Sequence, residues 1–161
     1  MKIAIFGSGG VGGYFGGLLA RAGHEVAFIA RGPHLRVLRE NGLKVRSVHG
    51  DFDIPHVFAT DDPIEFGPTD LTICTIKTYD IGIIADTMHP LIGPQTALLP
   101  LQNGVETPDL LAQHFGPCVG RGSLGSFGRK RAGHHSSTKS ISADCIGRTR
   151  GSRYPSPAYN S

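Results

Sequence analysis

The first twelve residues constrain this chain more than any other stretch. Met1–Phe6 is a short apolar run with strand character, and GSGGVG follows at once, so that Gly7, Gly9 and Gly12 fit G-x-G-x-x-G. A helical run comes next. In a strand–turn–helix context each glycine has its own task. Gly7 permits the tight turn, Gly9 lets backbone approach a pyrophosphate, and Gly12 lets helix and strand pack closely. The helix start offers free N–H groups and the positive end of its dipole to phosphate. Gly7, Ser8, Gly9, Gly10, Val11 and Gly12 are therefore candidate dinucleotide-binding residues. The competing reading is an ordinary glycine turn.

The helix runs from Val11 to Ala22, with Val11, Tyr14, Phe15, Leu18, Leu19 and Ala22 at helical spacing. Gly16 and Gly17 weaken it but let it lie close to a neighbour, and Gly23 ends it. Glu25–Ala30 is almost continuously apolar, as a buried parallel strand requires. These pieces make one βαβ unit. Arg31 stands at the end of its second strand. Sites for NAD usually carry Asp or Glu there, to accept from the ribose 2′-hydroxyl; an arginine instead attracts a 2′-phosphate. Arg31 is the candidate selector for NADP, and otherwise a solvated surface arginine.

The remaining pattern keeps alternating. Pro33–Glu40 reads as a short helix, and Leu43–Val48 with Phe52–Phe58 as strands around His49-Gly50-Asp51, a hairpin appended to the sheet. The adjacent carboxylates Asp61 and Asp62 precede Pro63 and read as a turn or helix cap rather than an acid–base pair. Asp70–Ile76 is a buried strand ending at Lys77. Ile81–Leu91 is a crossover helix, Thr96–Leu101 a strand ending in Gln102-Asn103-Gly104, and Thr107–Phe115 a helix closed by Gly116-Pro117. Such alternation predicts a Rossmann-like parallel α/β sheet with helices on both faces, spanning residues 1–117. Ligands bind beyond the carboxyl ends of such strands. Lys77 and Asn103 fall at those ends with Gly7–Gly12 and Arg31, and join the candidate cofactor site.

Charge divides the chain of 161 residues. Residues 1–118 hold eight Lys/Arg and twelve Asp/Glu, whereas residues 119–161 hold eight and one. The basic balance thus belongs to the tail. Cys74, Cys118 and Cys145 show no paired spacing, which argues against a disulfide framework and for a reducing compartment. The N-terminal apolar run is too short for a signal peptide, and no run reaches the length of a membrane span. A cytoplasmic protein without a membrane partner is expected, and no metal site.

The segments KIAIFGSGGVGGYFG, HEVAFIAR, TIKTYD around Lys77 and PLQNGV around Asn103, in this order and spacing, resemble the ketopantoate reductase (2-dehydropantoate 2-reductase) family over residues 1 to about 117. The resemblance implies hydride transfer from NADPH to the ketone of 2-dehydropantoate, giving pantoate for coenzyme A synthesis. It implies that Gly7–Gly12 and Arg31 hold the dinucleotide, that Lys77 lies near cofactor and substrate, and that Asn103 contacts the nicotinamide end and the substrate 2-keto acid. An ammonium and an amide so placed can orient the acid and polarise its ketone. The family also uses a helical second domain with a general-acid lysine. That domain is expected to be absent here, leaving the chain inactive alone, with an open sheet edge and an uncovered apolar face that favour self-association or aggregation.

Residues 118–161 form a Ser/Gly/Arg-rich tail. From 119 onward it has nine Ser, seven Gly and four Val/Leu/Ile, too little apolar surface to offset chain entropy, so disorder is expected. Binding of nucleic acid is disfavoured by the lack of an RGG repeat and of aromatics, and His134-His135 lack spaced partner ligands for a metal. A shifted reading frame fits better. With allowed codons read one base later, positions 120–123 can spell GGVA, 129–135 ESAPGII and 140–151 RFQRIVLGELEG, all resembling the family after its QNG segment. The alternative to a truncated reductase is a stand-alone NADP-binding module whose basic tail engages a partner or nucleic acid.

Overall fold

The structure is a computed structural model and describes residues 1–77, 81–101 and 107–116. The expectations for the tail, for Asn103 and for Cys118 and Cys145 lie outside the described residues. Within them the chain order is β1 (Lys2–Phe6), α1 (Gly10–Arg21), β2 (Glu25–Ile29), α2 (Gly32–Asn41), β3 (Leu43–Val45), β4 (Phe52–Ile54) and β5 (Phe58–Thr60). A 3₁₀ turn at Pro63–Glu65 leads to β6 (Leu71–Cys74), α3 (Ile81–Met88), a second 3₁₀ turn at His89–Leu91, β7 (Ala97–Pro100) and α4 (Thr107–Phe115).

Five strands form a parallel sheet in the order β5-β2-β1-β6-β7. The order reverses at β1: the chain first builds outward on one side through β2 and β5, then crosses to the other side of β1 for β6 and β7. Lys2 sits opposite Glu25 on one side, and Ile3 opposite Leu71 on the other. The start of β1 is fixed by charge as well as by ladder: its Lys2 N–H donates to Asp70 Oδ2 at 2.7 Å, and the Lys2 ammonium lies 4.5 Å from the centre of the Phe66 ring. Strand alternation splits the core into two layers. Ile3, Ile5, Val26, Phe28 and Ile73 face one side, with Leu35 and Leu38 of α2. Ala4, Phe6, Ala27, Ile29 and Cys74 face the other, where Met88, Leu91 and Leu111 cover them. Helices on both faces are what the near-continuous apolar strands demand.

Helix α1 lies close to the sheet because it has no side chain at Gly16. A Cβ there would stand 2.6 Å from Phe28 Cε1 and 2.7 Å from Ile5 Cγ1. The helix ends in a Schellman motif: Gly23 N–H donates to Ala20 O and His24 N–H to Leu19 O, with Gly23 at φ +87°. Asp62 caps the first 3₁₀ turn by accepting from Ile64 N–H at 3.0 Å, which accounts for the Asp61-Asp62 pair as a cap.

Three expectations need correction. Strands β3 and β4 do pair antiparallel, Leu43 with Ile54 and Val45 with Phe52, but they form a separate two-stranded sheet rather than an appendage of the main one. It packs on α1, where a Cβ at Gly17 would meet Phe52 and Leu43 within 3.0 Å. Phe58 does not continue β4. Pro55 has no N–H to donate, and after it the chain turns so that Phe58–Thr60 becomes the parallel edge strand β5 against β2. The helix expected over 81–91 stops at Met88 and tightens into a 3₁₀ turn at His89–Leu91, because Pro90 cannot supply the next helical hydrogen bond.

Candidate dinucleotide site

The strand ends are drawn level by backbone hydrogen bonds just beyond them. Gly7 N–H donates to Ile29 O, Ala30 N–H to Thr60 O, Thr75 N–H to Phe6 O and Leu101 N–H to Cys74 O, at 2.9–3.2 Å. This crest carries the glycine loop after β1, Arg31 after β2 and Lys77 after β6. Arg31 is exposed and is the N-cap of α2; Lys77 is also exposed.

Each glycine of the loop meets a different constraint. Gly7 has φ +100°, and a Cβ on it would come 2.8 Å from Ile76 Cγ2 and 3.1 Å from Thr75 Oγ1. The Thr75 hydroxyl also donates to the Gly7 carbonyl, stitching the loop to β6. Gly12 sits where helix and strand touch, with a Cβ position 2.7 Å from Thr75 Oγ1 and 2.8 Å from Ile5 Cγ2. Gly9 and Gly10 have nothing within 4 Å of the Cβ position. The middle of the loop is thus open to an approaching ligand while its two ends are locked.

The start of α1 is equipped for an anion. Its N-cap, Gly9, offers no side-chain hydrogen bond, and the first turn contains no acidic residue. The early N–H groups and the positive dipole end are left for a ligand. Ser8, next to them, is 3 % exposed, and its Oγ is the buried side-chain polar atom without a hydrogen-bond partner among the described residues. A buried hydroxyl of this kind is a place where a ligand oxygen would be welcome. The open cradle and this hydroxyl fit a diphosphate-bearing cofactor.

A cleft of about 600 Å³ opens beside the loop. Ser8, Gly9, Gly10 and Val11 line one wall, Tyr14 and Phe15 of α1 extend it, and His34 stands on another side. The segment from Leu43 to Val48, with Lys44 and Arg46, closes it. Arg46 is already engaged: its guanidinium contacts Asp53 at 2.5 Å and Asp51 at 3.7 Å. The hydrogen bond from Arg46, with its charge, holds the Asp53 carboxyl below the usual carboxylate range, and Asp53 raises Arg46 in turn. Of the residues expected from sequence, Ser8–Val11 reach the cleft. Gly7 and Gly12 lie beneath the loop as its supports, and Arg31 and Lys77 stand on the crest outside the cleft wall. His34, Lys44 and Arg46 were not anticipated. The exposed–buried alternation of Leu43–Arg46 is the signal that would have placed both cations on one outward face.

A parallel sheet with a glycine turn at its order reversal is the architecture of a dinucleotide-binding domain. The family model described as Ketopantoate reductase PanE/ApbA matches residues 3–148, running past residue 117, where the segments that carry the resemblance end. The chain belongs to the ketopantoate reductase family. It is 36% identical over 106 residues to the 2-dehydropantoate 2-reductase of Mesorhizobium japonicum, an overlap of 65% of this chain and 32% of that protein. The crystal structure of 2-dehydropantoate 2-reductase from Geobacter metallireducens superposes with a TM-score of 0.73 at 36% identity, covering 83% of this chain and 44% of that one. The ternary structure of D-mandelate dehydrogenase with NADH and anilino(oxo)acetate is also similar, with a TM-score of 0.68 at 27% identity, covering 76% of this chain and 40% of that one. The chain spans about a third of the length of the curated relatives it matches. Among the described residues no helix is long and apolar enough to cross a membrane, and no group of His, Cys, Asp or Glu is arranged to hold a metal.

Proposed function

We propose that this chain binds NADPH and supplies the cofactor half of a reductase that transfers a hydride to the ketone of a 2-keto acid, 2-dehydropantoate being the substrate favoured by its relatives' names. The observation that carries the reading is the phosphate loop: Gly9 and Gly10 open, Gly7 and Gly12 locked, and the buried Ser8 hydroxyl unpartnered. In this reading the loop amides and Ser8 Oγ hold the diphosphate. Arg31, exposed where the crest follows β2, receives the 2′-phosphate through a charge-assisted, two-pronged contact. NADPH contributes the hydride. In the same reading Lys77 and Asn103 orient the keto acid.

The deciding experiment is a fluorescence titration of the full chain and of R31D with NADPH and NADH. A charge-assisted hydrogen bond contributes about 1.5–3 kcal/mol, so R31D should bind NADPH about 10- to 100-fold more weakly while NADH affinity holds or improves. An unchanged ratio of the two affinities would remove Arg31 as selector. Failure of the unaltered chain to bind either cofactor would remove the whole reading. The D-mandelate dehydrogenase structure, which contains NADH, motivates the second reading, an NADH site; the same titration separates the two.

A further inference from the structure

We propose that His34 is a positioning residue that ties the phosphate loop to the helix start bearing Arg31, so that the preference for NADPH over NADH depends on it. This inference rests on the NADPH reading above and adds a residue to it. His34 stands on the first turn of α2, three residues after Arg31, the N-cap of the same helix. Its Nε2 lies 2.7 Å from the carbonyl oxygen of Ser8, a residue 26 positions earlier in the chain. A carbonyl can only accept, so Nε2 carries the proton and donates. That donor is present both in the neutral Nε2–H tautomer and in the imidazolium, so the tie does not depend on the charge of His34.

Both ends of this contact are otherwise fixed in ways that make it transmit position. On the helix side, Leu35 and Leu38 are buried in the core beside Ile3, Ile5 and Phe28, so α2 cannot swing to follow the loop. Leu35 N–H also donates to Arg31 O, joining the N-cap to the first turn. On the loop side, Ser8 is buried with its Oγ unpartnered, next to the open Gly9 and Gly10. The Ser8 carbonyl points to His34, and the peptide that follows it carries the N–H of Gly9. Fixing that peptide plane therefore fixes the direction of a donor at the diphosphate position. His34, Ser8 and Gly9 all line the cleft. The cations lining the cleft, Lys44 and Arg46, come from β3 and the chain just after it, and Arg46 is taken up by Asp53. His34 is thus placed to set the distance between the loop, which any dinucleotide uses, and Arg31, which only a 2′-phosphate uses.

The test is titration of the full chain, H34A and H34Q with NADPH and with NADH, alongside thermal melts of the free proteins. Glutamine keeps an N–H donor on a side chain of similar reach. Loss of one hydrogen bond corresponds to about 3- to 10-fold, so H34A should weaken NADPH by that factor and NADH by less, narrowing the ratio, with H34Q returning most of both. A ratio that H34A leaves unchanged overturns the proposal, as does a loss that H34Q fails to restore. Equal losses of melting temperature and of both affinities in the two variants would mean damaged structure and would overturn it too. If the unaltered chain binds no NADPH, the cofactor reading fails; if it binds and H34A matches it, only the tie fails.

Discussion

In the proposed reading Ser8 serves a bound state at the expense of the free one. Its Oγ is removed from water without a partner, a situation that costs about 1–3 kcal/mol. The S8A variant of the free chain should therefore be more stable by about 1 kcal/mol in denaturant unfolding, since the methyl group has nothing to satisfy. The same variant should bind NADPH more weakly. Opposite signs for stability and affinity are the expected pair; a less stable free S8A would show that the hydroxyl is already satisfied. Gly12 is the contrasting residue. It has no latitude in either state, because backbone and side-chain atoms of Gly7, Thr75 and Ile5 fill the space where a Cβ would go.

At the level of elements, the β3–β4 hairpin is held partly by charge at its surface. The Arg46–Asp53 contact is the strongest of its ion pairs by geometry, and Asp53 is half exposed. The folded-state pKa of Asp53 is depressed, so its contribution to stability is present above the unfolded value and is lost as pH falls through the folded value. Unaltered protein should therefore lose more stability than D53N on acidification through and below the ordinary carboxylate range, the two converging once Asp53 is protonated. Melting temperatures measured across that range at low salt test this, and strong salt should shrink the difference. Parallel curves would show that the pair contributes nothing. This hairpin also marks where the sequence stopped being legible. The alternation of Leu43–Arg46 and the turn at His49-Gly50-Asp51 announce two strands, but strands of three residues do not reveal which sheet they join. That choice is made by Phe52 and Leu43 packing on the bare backbone of Gly17, a contact no local pattern records. The main strands were readable because burial on both faces leaves an unbroken apolar run. The glycine turn was readable because the spacing of Gly7, Gly9 and Gly12 between an apolar run and a helix is written within one short stretch, although the atoms that lock its ends belong to Thr75 and Ile76. His34 was not, since its partner lies 26 residues away.

The described residues present the crest along one rim of the sheet, with the glycine loop, the proposed cofactor site, at its centre. Because that loop joins β1 to α1 and is stitched to β2 and β6, a bound dinucleotide braces the middle of the domain. NADPH at 100 times its Kd should stabilise the chain by about 2.7 kcal/mol, which for a domain of this size raises Tm by about 5–10 °C. A thermal-shift series over NADPH concentration checks this, and no shift at saturation would contradict the brace. The position of β1 has a consequence in time. Of the five strands of this sheet the central one is made before the other four, and its second neighbour, β6, is not complete until residue 74. At about 5–20 residues per second, roughly 2 to 9 s separate the completion of β2 from that of β6. Throughout that interval the nascent chain carries a half-built sheet whose middle strand has one side unmatched, a vulnerable period set by strand order alone.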